Sequence, residues 1–274
     1  MIRMLHLELH RAIFNIRFLI ALVFGCVLAV LQFIDTVLPI SSQLDSMINI
    51  DKGNGWIACS YEYWIEAYFF SPYSLAFFLL LPILAAFPYG ASYFYDIKSG
   101  YIKSEIIRSS KTSYYFSKYI AISVSSFLII VIPLLLNLFL AMTELPSNIP
   151  DIASGTSSIT NCSILSSLYY SYPLIHALFF IILGGIFGSL FGLISFIISD
   201  FTENSIVVLL FPFILNIFLL ALFDTINLSE ASPVYFIRSG WEISSGYIVL
   251  PYIIIISGVA AGLCHFRKVK GDVF

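Results

Sequence analysis

Six long apolar runs constrain this 274-residue chain more than any other feature. A helix needs about 20 mostly apolar residues to cross a hydrocarbon layer about 30 Å thick, because it rises about 1.5 Å per residue. The runs that meet this length fall near 18–39, 72–93, 118–142, 173–198, 205–223 and 247–266, and none holds Lys, Arg, Asp or Glu near its middle. Only 11% of the chain is charged, against about 25% in a soluble domain. A water-facing shell cannot be built from so little charge. The expected fold is all-α, a polytopic membrane protein with six transmembrane helices. A net charge of −3 offers no basic surface for nucleic acid. Charges run through the first 18 residues and the apolar run after them is long enough to span, so no cleavable signal peptide is expected.

Orientation follows from the basic residues, which concentrate on the cytoplasmic side of membrane proteins. Eleven of the thirteen fall on one side: Arg3, Arg11 and Arg17; Lys98, Lys103, Arg108, Lys111 and Lys118; Arg267, Lys268 and Lys270. The other side has Lys52 and Arg238 alone, with nine acids including Glu62 and Glu66. Both termini are therefore expected in the cytoplasm, with the chain multi-pass in the plasma membrane. Tyr61, Tyr63, Trp64 and Tyr68, then Tyr114, Tyr115 and Tyr119, then Tyr169, Tyr170 and Tyr172, cluster where interfacial anchoring belts are expected.

Residues 1–17 read as an amphipathic helix on the cytoplasmic surface. At about 100° per residue, Ile2, Leu5, Leu9, Ala12, Ile13 and Ile16 share one arc. Arg3, His6, Glu8, His10, Arg11, Asn15 and Arg17 fall opposite, on the side expected to be solvated. His6 and His10 lie one turn apart without a third ligand, so no metal site is expected. In the connection 98–111, Gly100 permits a sharp turn and 101–108 reads as a short helix. Tyr101, Ile102, Glu105 and Ile106 share a face of it, beside Lys103 and Arg108. Such a face fits a groove on a cytoplasmic protein; a plain basic loop explains the lysines but not the apolar residues.

No Gly-x-x-x-x-Gly-Lys-Ser/Thr motif occurs, so any ATP used is expected to bind another polypeptide. No ionisable group lies mid-span to couple ion flow, and Asp35 sits near the end of the first run. Gly184, Gly188 and Gly192, with Gly258 and Gly262, have the small-residue spacing that lets helices approach closely. Asn137 and Asn216 are polar groups within spans, placed to bond a neighbouring helix or to line a substrate path. Cys59 and Cys162 both fall outside the membrane, where a disulfide is chemically permitted. Catalytic groups are not expected; His176, Ser189 and Ser195 on the fourth run match no hydrolase motif.

Leu81-Pro82 through Tyr89-Gly90, then Asp96-Ile97-Lys98-Ser99-Gly100-Tyr101-Ile102-Lys103, then Arg108, Tyr114 and Ser117-Lys118-Tyr119, resemble the permease subunits of bacterial ABC-2-type exporters. The stretch Glu8-Leu9-His10-Arg11-Ala12 before a long first span fits the same family. The resemblance implies a connecting helix over 1–17 carrying Glu8, Arg11 and Arg17, a six-helix domain over 18–266, and a cytoplasmic tail over 267–274. It makes Gly100, Tyr101, Ile102, Lys103, Glu105, Ile106 and Arg108 the coupling segment, and 224–246 an outer, partly re-entrant segment. The turn holding Asp200 and Glu203 becomes a second cytoplasmic contact, although it has two acids and no base. Implied partners are ATP-binding cassette subunits that bind ATP and Mg, a second permease, identical or related, and membrane lipid. The implied activity is export; the nine acids and two bases of the outer loops suit a cationic cargo such as an antimicrobial peptide, or only satisfy the charge rule of topology. An ion-coupled transporter or channel, and an intramembrane enzyme, are the alternatives.

Overall fold

The structure, a computed structural model, describes residues 2–50, 58–68, 70–108, 110–150, 159–160, 163–239 and 259. Apart from residue 259, the sixth apolar run with Gly258 and Gly262, residues 240–246 of the outer segment, Cys162 and the tail 267–274 lie outside the described residues. Every regular element described is helical.

Helix α1 (Ile2–Ile13) ends at a bend, and Asn15 caps α2 (Ile16–Gln32) by accepting from the Arg17 N–H at 2.8 Å. A π turn (Phe33–Val37) joins α2 to α3 (Leu38–Ile50). A short helix α4 (Ser60–Tyr63) leads to α5 (Pro72–Ala86). Then come α6 (Ser92–Lys98), α7 (Tyr101–Arg108) and the 34-residue α8 (Lys111–Glu144), capped by the Ser110 hydroxyl accepting from the Ser113 N–H. Helices α9 (Ser166–Ser171), α10 (Pro173–Ile198), α11 (Ser205–Thr225) and α12 (Pro233–Phe236) follow.

Among the described residues, four helical stretches are long and apolar enough to cross a membrane: Ile16–Leu44, Lys111–Glu144, Pro173–Ile198 and Ser205–Thr225. The second run departs from the uninterrupted span expected over 72–93. Its helix stops at Ala86, and the chain turns through 87–91 before α6 resumes. Pro88 has no N–H to continue the ladder, and Gly90 follows within the turn. The 15 residues of α5 rise only about 22 Å at the standard pitch.

Helix α8 is the hub, packed on α1, α2, α5 and α10. The glycine stripe of α10 makes one of these contacts close. A Cβ on Gly188 would lie 2.8 Å from Ile130 Cγ1 and 3.1 Å from the Ser126 carbonyl; one on Gly192 would meet the Ser126 hydroxyl; Gly184 rests against Leu134. The stripe therefore serves packing within the chain. Gly188→Val is expected to lower stability by about 1–3 kcal/mol, since backbone as well as side chain must yield, read as an earlier melting transition in detergent.

Several expected anchors are instead interior. Tyr61, Trp64, Tyr114, Tyr115 and Tyr169 are buried, whereas Tyr172 stays exposed. Their rings fill gaps between helices, and ring size outweighs the polar tip in placing them.

A buried ion cluster and its surroundings

Three faces of α1 have different neighbours. Met4, Glu8 and Ala12 point inward, at intervals of four. The arc containing Ile2, Leu5, Leu9, Ile13 and Ile16 is exposed or half-buried, and Arg3, His6 and His10 are exposed. This corrects the placement of Glu8 on a solvated side: its carboxylate is fully buried.

The reason is Lys118. Counted from sequence as a water-facing charge at a span end, it is fully buried two turns inside α8. Its Nζ donates to Glu8 Oε2 at 3.0 Å, to Asp96 Oδ2 at 2.6 Å and to the Tyr89 hydroxyl at 3.2 Å. Arg11 donates from Nη1 to Glu8 Oε1 and from Nη2 to Asp96 Oδ1, both at 2.9 Å. Tyr89 donates its hydroxyl to Glu8 Oε2 at 2.6 Å, and Tyr114 donates to Asp96 Oδ2 at 2.8 Å. Two cations and two anions thus alternate, and every carboxylate oxygen accepts at least one bond.

Electrostatics follow from this geometry. Burial alone would push the Asp96 carboxyl up, but Lys118 and then Arg11 overcome it and hold its pKa below the usual carboxylate value. Burial works against the Arg11 charge, yet the hydrogen bond to Asp96 and the nearby acids raise its pKa above the ordinary value. Transferring a lone charge from water to the interior costs several kcal/mol; pairing with complete hydrogen bonding offsets that cost.

The cluster joins elements that are distant in sequence: α1 through Glu8 and Arg11, α6 through Asp96, and α8 through Lys118 and Tyr114. Helix α7 is drawn in beside it. Ile102 is buried, and Tyr101 and Ile106 pack with it against Met4, Ala12, Tyr114 and Tyr115. The Arg11 guanidinium lies over the Tyr101 ring at 4.4 Å. The apolar face of α7 is the one expected from sequence, but it is turned onto its own chain. Ile102 is covered there, while Tyr101 and Ile106 stay half-buried. The exposed side holds Lys103, Ser104 and Ile107, with Glu105 half-buried and Gly100 at the left-handed turn, φ +72°. The Arg108 side chain lies outside the described residues. Beside α7, Lys98 donates to the Glu203 carbonyl at 2.9 Å, tying α6 to the turn after α10. Arg17 stacks over Tyr95 at 4.7 Å.

A second polar centre lies toward the other end of α8. Asn137 donates to the Ala29 carbonyl at 2.8 Å and to Gln32 Oε1 at 2.7 Å, and accepts from the Ile65 N–H at 2.7 Å. It crosslinks helices, one of the two roles open to it from sequence. Glu66 accepts from the Ser239 N–H and, at 2.8 Å, from its hydroxyl; Arg238 donates to the Ser74 hydroxyl at 2.9 Å. Glu62, Glu66 and Arg238 were read as charges of outer loops, and all three are buried. Asn216 is buried on α11 with no partner for Oδ1 among the described residues. Cys59 is a buried free thiol, its pKa pushed up to about 12 by burial and then by Glu62.

Other sequence candidates do not assemble. His176 is enclosed by Tyr169 and Phe180, while the Ser189 hydroxyl bonds the Ser123 carbonyl at 2.8 Å. Ser189 and Ser195 stand about 20 and 28 Å from His176 along the helix rise, so no catalytic pair forms between them. Among the described residues no three His, Cys, Asp or Glu gather as metal ligands.

Sequence reasoning passed over Lys118, Asp96, Tyr89 and Tyr114 as a unit. The available signals were the Glu8–Arg11 spacing and the position of Lys118 two turns beyond the Ser110 cap. Compared with known proteins, the chain matches no family model, no curated protein and no solved structure.

Proposed function

We propose that this chain is the membrane-spanning permease subunit of an ATP-driven exporter of ABC-2 type. The observation that carries the reading is the buried ion cluster. It fastens an interfacial helix and the α6–α7 connection to the end of the longest apolar helix. A push on α7 is thereby delivered to α8 rather than absorbed by a loose loop. In this reading six helices span the plasma membrane, with the basic end and both termini in the cytoplasm. The ATP-binding cassette subunits hold ATP and Mg and dock against the exposed side of α7, around Lys103 and Ile107. A second permease, identical or related, completes a pathway for an amphipathic cargo such as a cationic peptide. ATP-driven closure of the partner subunits then moves α7, α1 and the end of α8 as one body.

The test changes the exposed side of α7 and leaves its buried side intact. In the double variant Lys103→Glu/Ile107→Asp, co-purification with a co-expressed ATP-binding cassette subunit should fall at least about tenfold. The chain itself should remain monodisperse in detergent. Unchanged association would remove coupling through α7.

A second reading, transport driven by an ion gradient, draws on the same cluster. Glu8, Asp96 and Lys118 are ionisable groups buried beside a candidate span, where proton relays are built. Gradient-driven flux through liposomes holding this chain alone would favour it.

A further inference from the structure

Residues 58–68 lie at the other end of the bundle from the ion cluster, and mostly neutral bonds hold them there. The Ser60 N–H donates to the Pro146 carbonyl at 3.0 Å, and its hydroxyl lies 3.0 Å from that of Ser147. Gln32 donates to the Tyr63 carbonyl at 2.8 Å, and Asn137 accepts from Ile65.

Two carboxyl groups of this segment point into protein, and they are treated differently. Glu66 receives two donors from Ser239, and Arg238 is near enough to favour its charge, although burial outweighs them and raises its pKa to about 7. Glu62 is 3% exposed, and neither of its oxygens has a hydrogen-bond partner among the described residues. The titratable groups on its own segment are Cys59, Tyr61, Tyr63 and Glu66, and the helices packed on α4 are α8, which ends at Glu144, and α10, which carries His176. None of the first five is a cation, and the His176 ring is stacked on Tyr169 and Phe180. A carboxylate cannot remain ionised in such a place without a cost of several kcal/mol, and a neutral carboxyl can.

We propose that Glu62 is a proton-binding site: its carboxyl takes up a proton as residues 58–68 close on the bundle and releases it to water when they lift. The ligand is the proton itself, and acid favours the closed form. Burial raises the Glu62 pKa to about 7 from an ordinary 4.5. Between those values the closed form holds a proton that the open form lacks, so closure weakens by up to about tenfold for each unit of rising pH. Above about 7 both forms are ionised and the dependence ends. None of this requires an ATPase partner, so the idea stands or falls apart from the exporter reading.

Cys59 supplies the reporter, because it is buried at the start of α4. The full chain would carry Ser at positions 26, 162 and 264, leaving one thiol, and be compared with its Glu62→Gln form in detergent. Taking the ratio of labelling rates by a thiol reagent at each pH cancels the ordinary rise in thiolate. The rate of the unsubstituted Glu62 form divided by that of Glu62→Gln should rise about thirtyfold between pH 5.5 and pH 8. A ratio constant within twofold throughout overturns the proposal. Should Glu62→Gln fail to fold, infrared titration of the Glu66→Gln protein decides instead. A protonated-carboxyl band lost in a step near pH 7 supports the site; loss of all such intensity by about pH 5.5 overturns it.

Discussion

Replacing Lys118 with methionine is expected to cost about 3–5 kcal/mol, the range for breaking a buried ion pair by removing one partner. Methionine fills much of the volume, so the loss is electrostatic. Glu8 would keep Arg11 and Tyr89, and Asp96 would keep Arg11 and Tyr114, but the cluster would carry a net negative charge away from water. Chemical denaturation in detergent should show the loss directly. Combining Lys118→Met with Glu8→Gln should recover part of it, because neutral partners need no counter-charge. A double variant as unstable as the sum of the two singles would mean the groups act independently. Acid should release the same energy gradually. The Asp96 pKa is lowered on folding, so its contribution is complete well above its ordinary 3.8 and fades as the pH falls through and below that value.

Asn137→Leu should be the next most damaging change. The side chain is fully buried and makes three bonds, to α2 twice and to the backbone of the segment before α5. Leucine is similar in size but leaves the Ile65 N–H and Gln32 Oε1 facing apolar groups, while the Ala29 carbonyl keeps the Phe33 N–H. Each orphaned buried polar group costs about 1–3 kcal/mol. Thermal denaturation should shift accordingly, and Asn137→Asp should recover only the Ile65 contact. Hydrogen exchange at the Ile65 amide gives a local readout; unchanged protection there in Asn137→Leu would mean another acceptor has replaced the side chain.

The helices that cross apolar space were legible because length and hydropathy are local properties. Runs at 173–198 and from 205 begin and end close to where α10 and α11 do, since Pro173 and Asn204 mark their starts. The glycine stripe was legible for the same reason. The ion cluster was not. Lys118 is 110 residues from Glu8 and 22 from Asp96, and a charge count treats each basic residue near a span end as wet. The same assumption misplaced Glu62, Glu66 and Arg238. The face of α7 was read from periodicity, but periodicity says only that a face will be covered. Whether the cover is a partner or the chain's own α1 and α8 depends on tertiary packing, and Ile102 is covered from within.

Helix α8 also has a mechanical property set by where one proline falls. Its 34 residues make a rod about 51 Å long, well beyond the hydrocarbon thickness of about 30 Å. Pro133 rests against α2 at Gly25, where a Cβ would lie 2.9 Å from Pro133 Cγ, and so forms a tight bearing. By helix rise the arm from Pro133 back to Lys111 is about 33 Å and the arm forward to Glu144 about 17 Å. A rod pivoting on that bearing is a two-to-one lever. With such a pivot, travel at the Lys111 end would arrive halved at the Glu144 end, and force would arrive doubled.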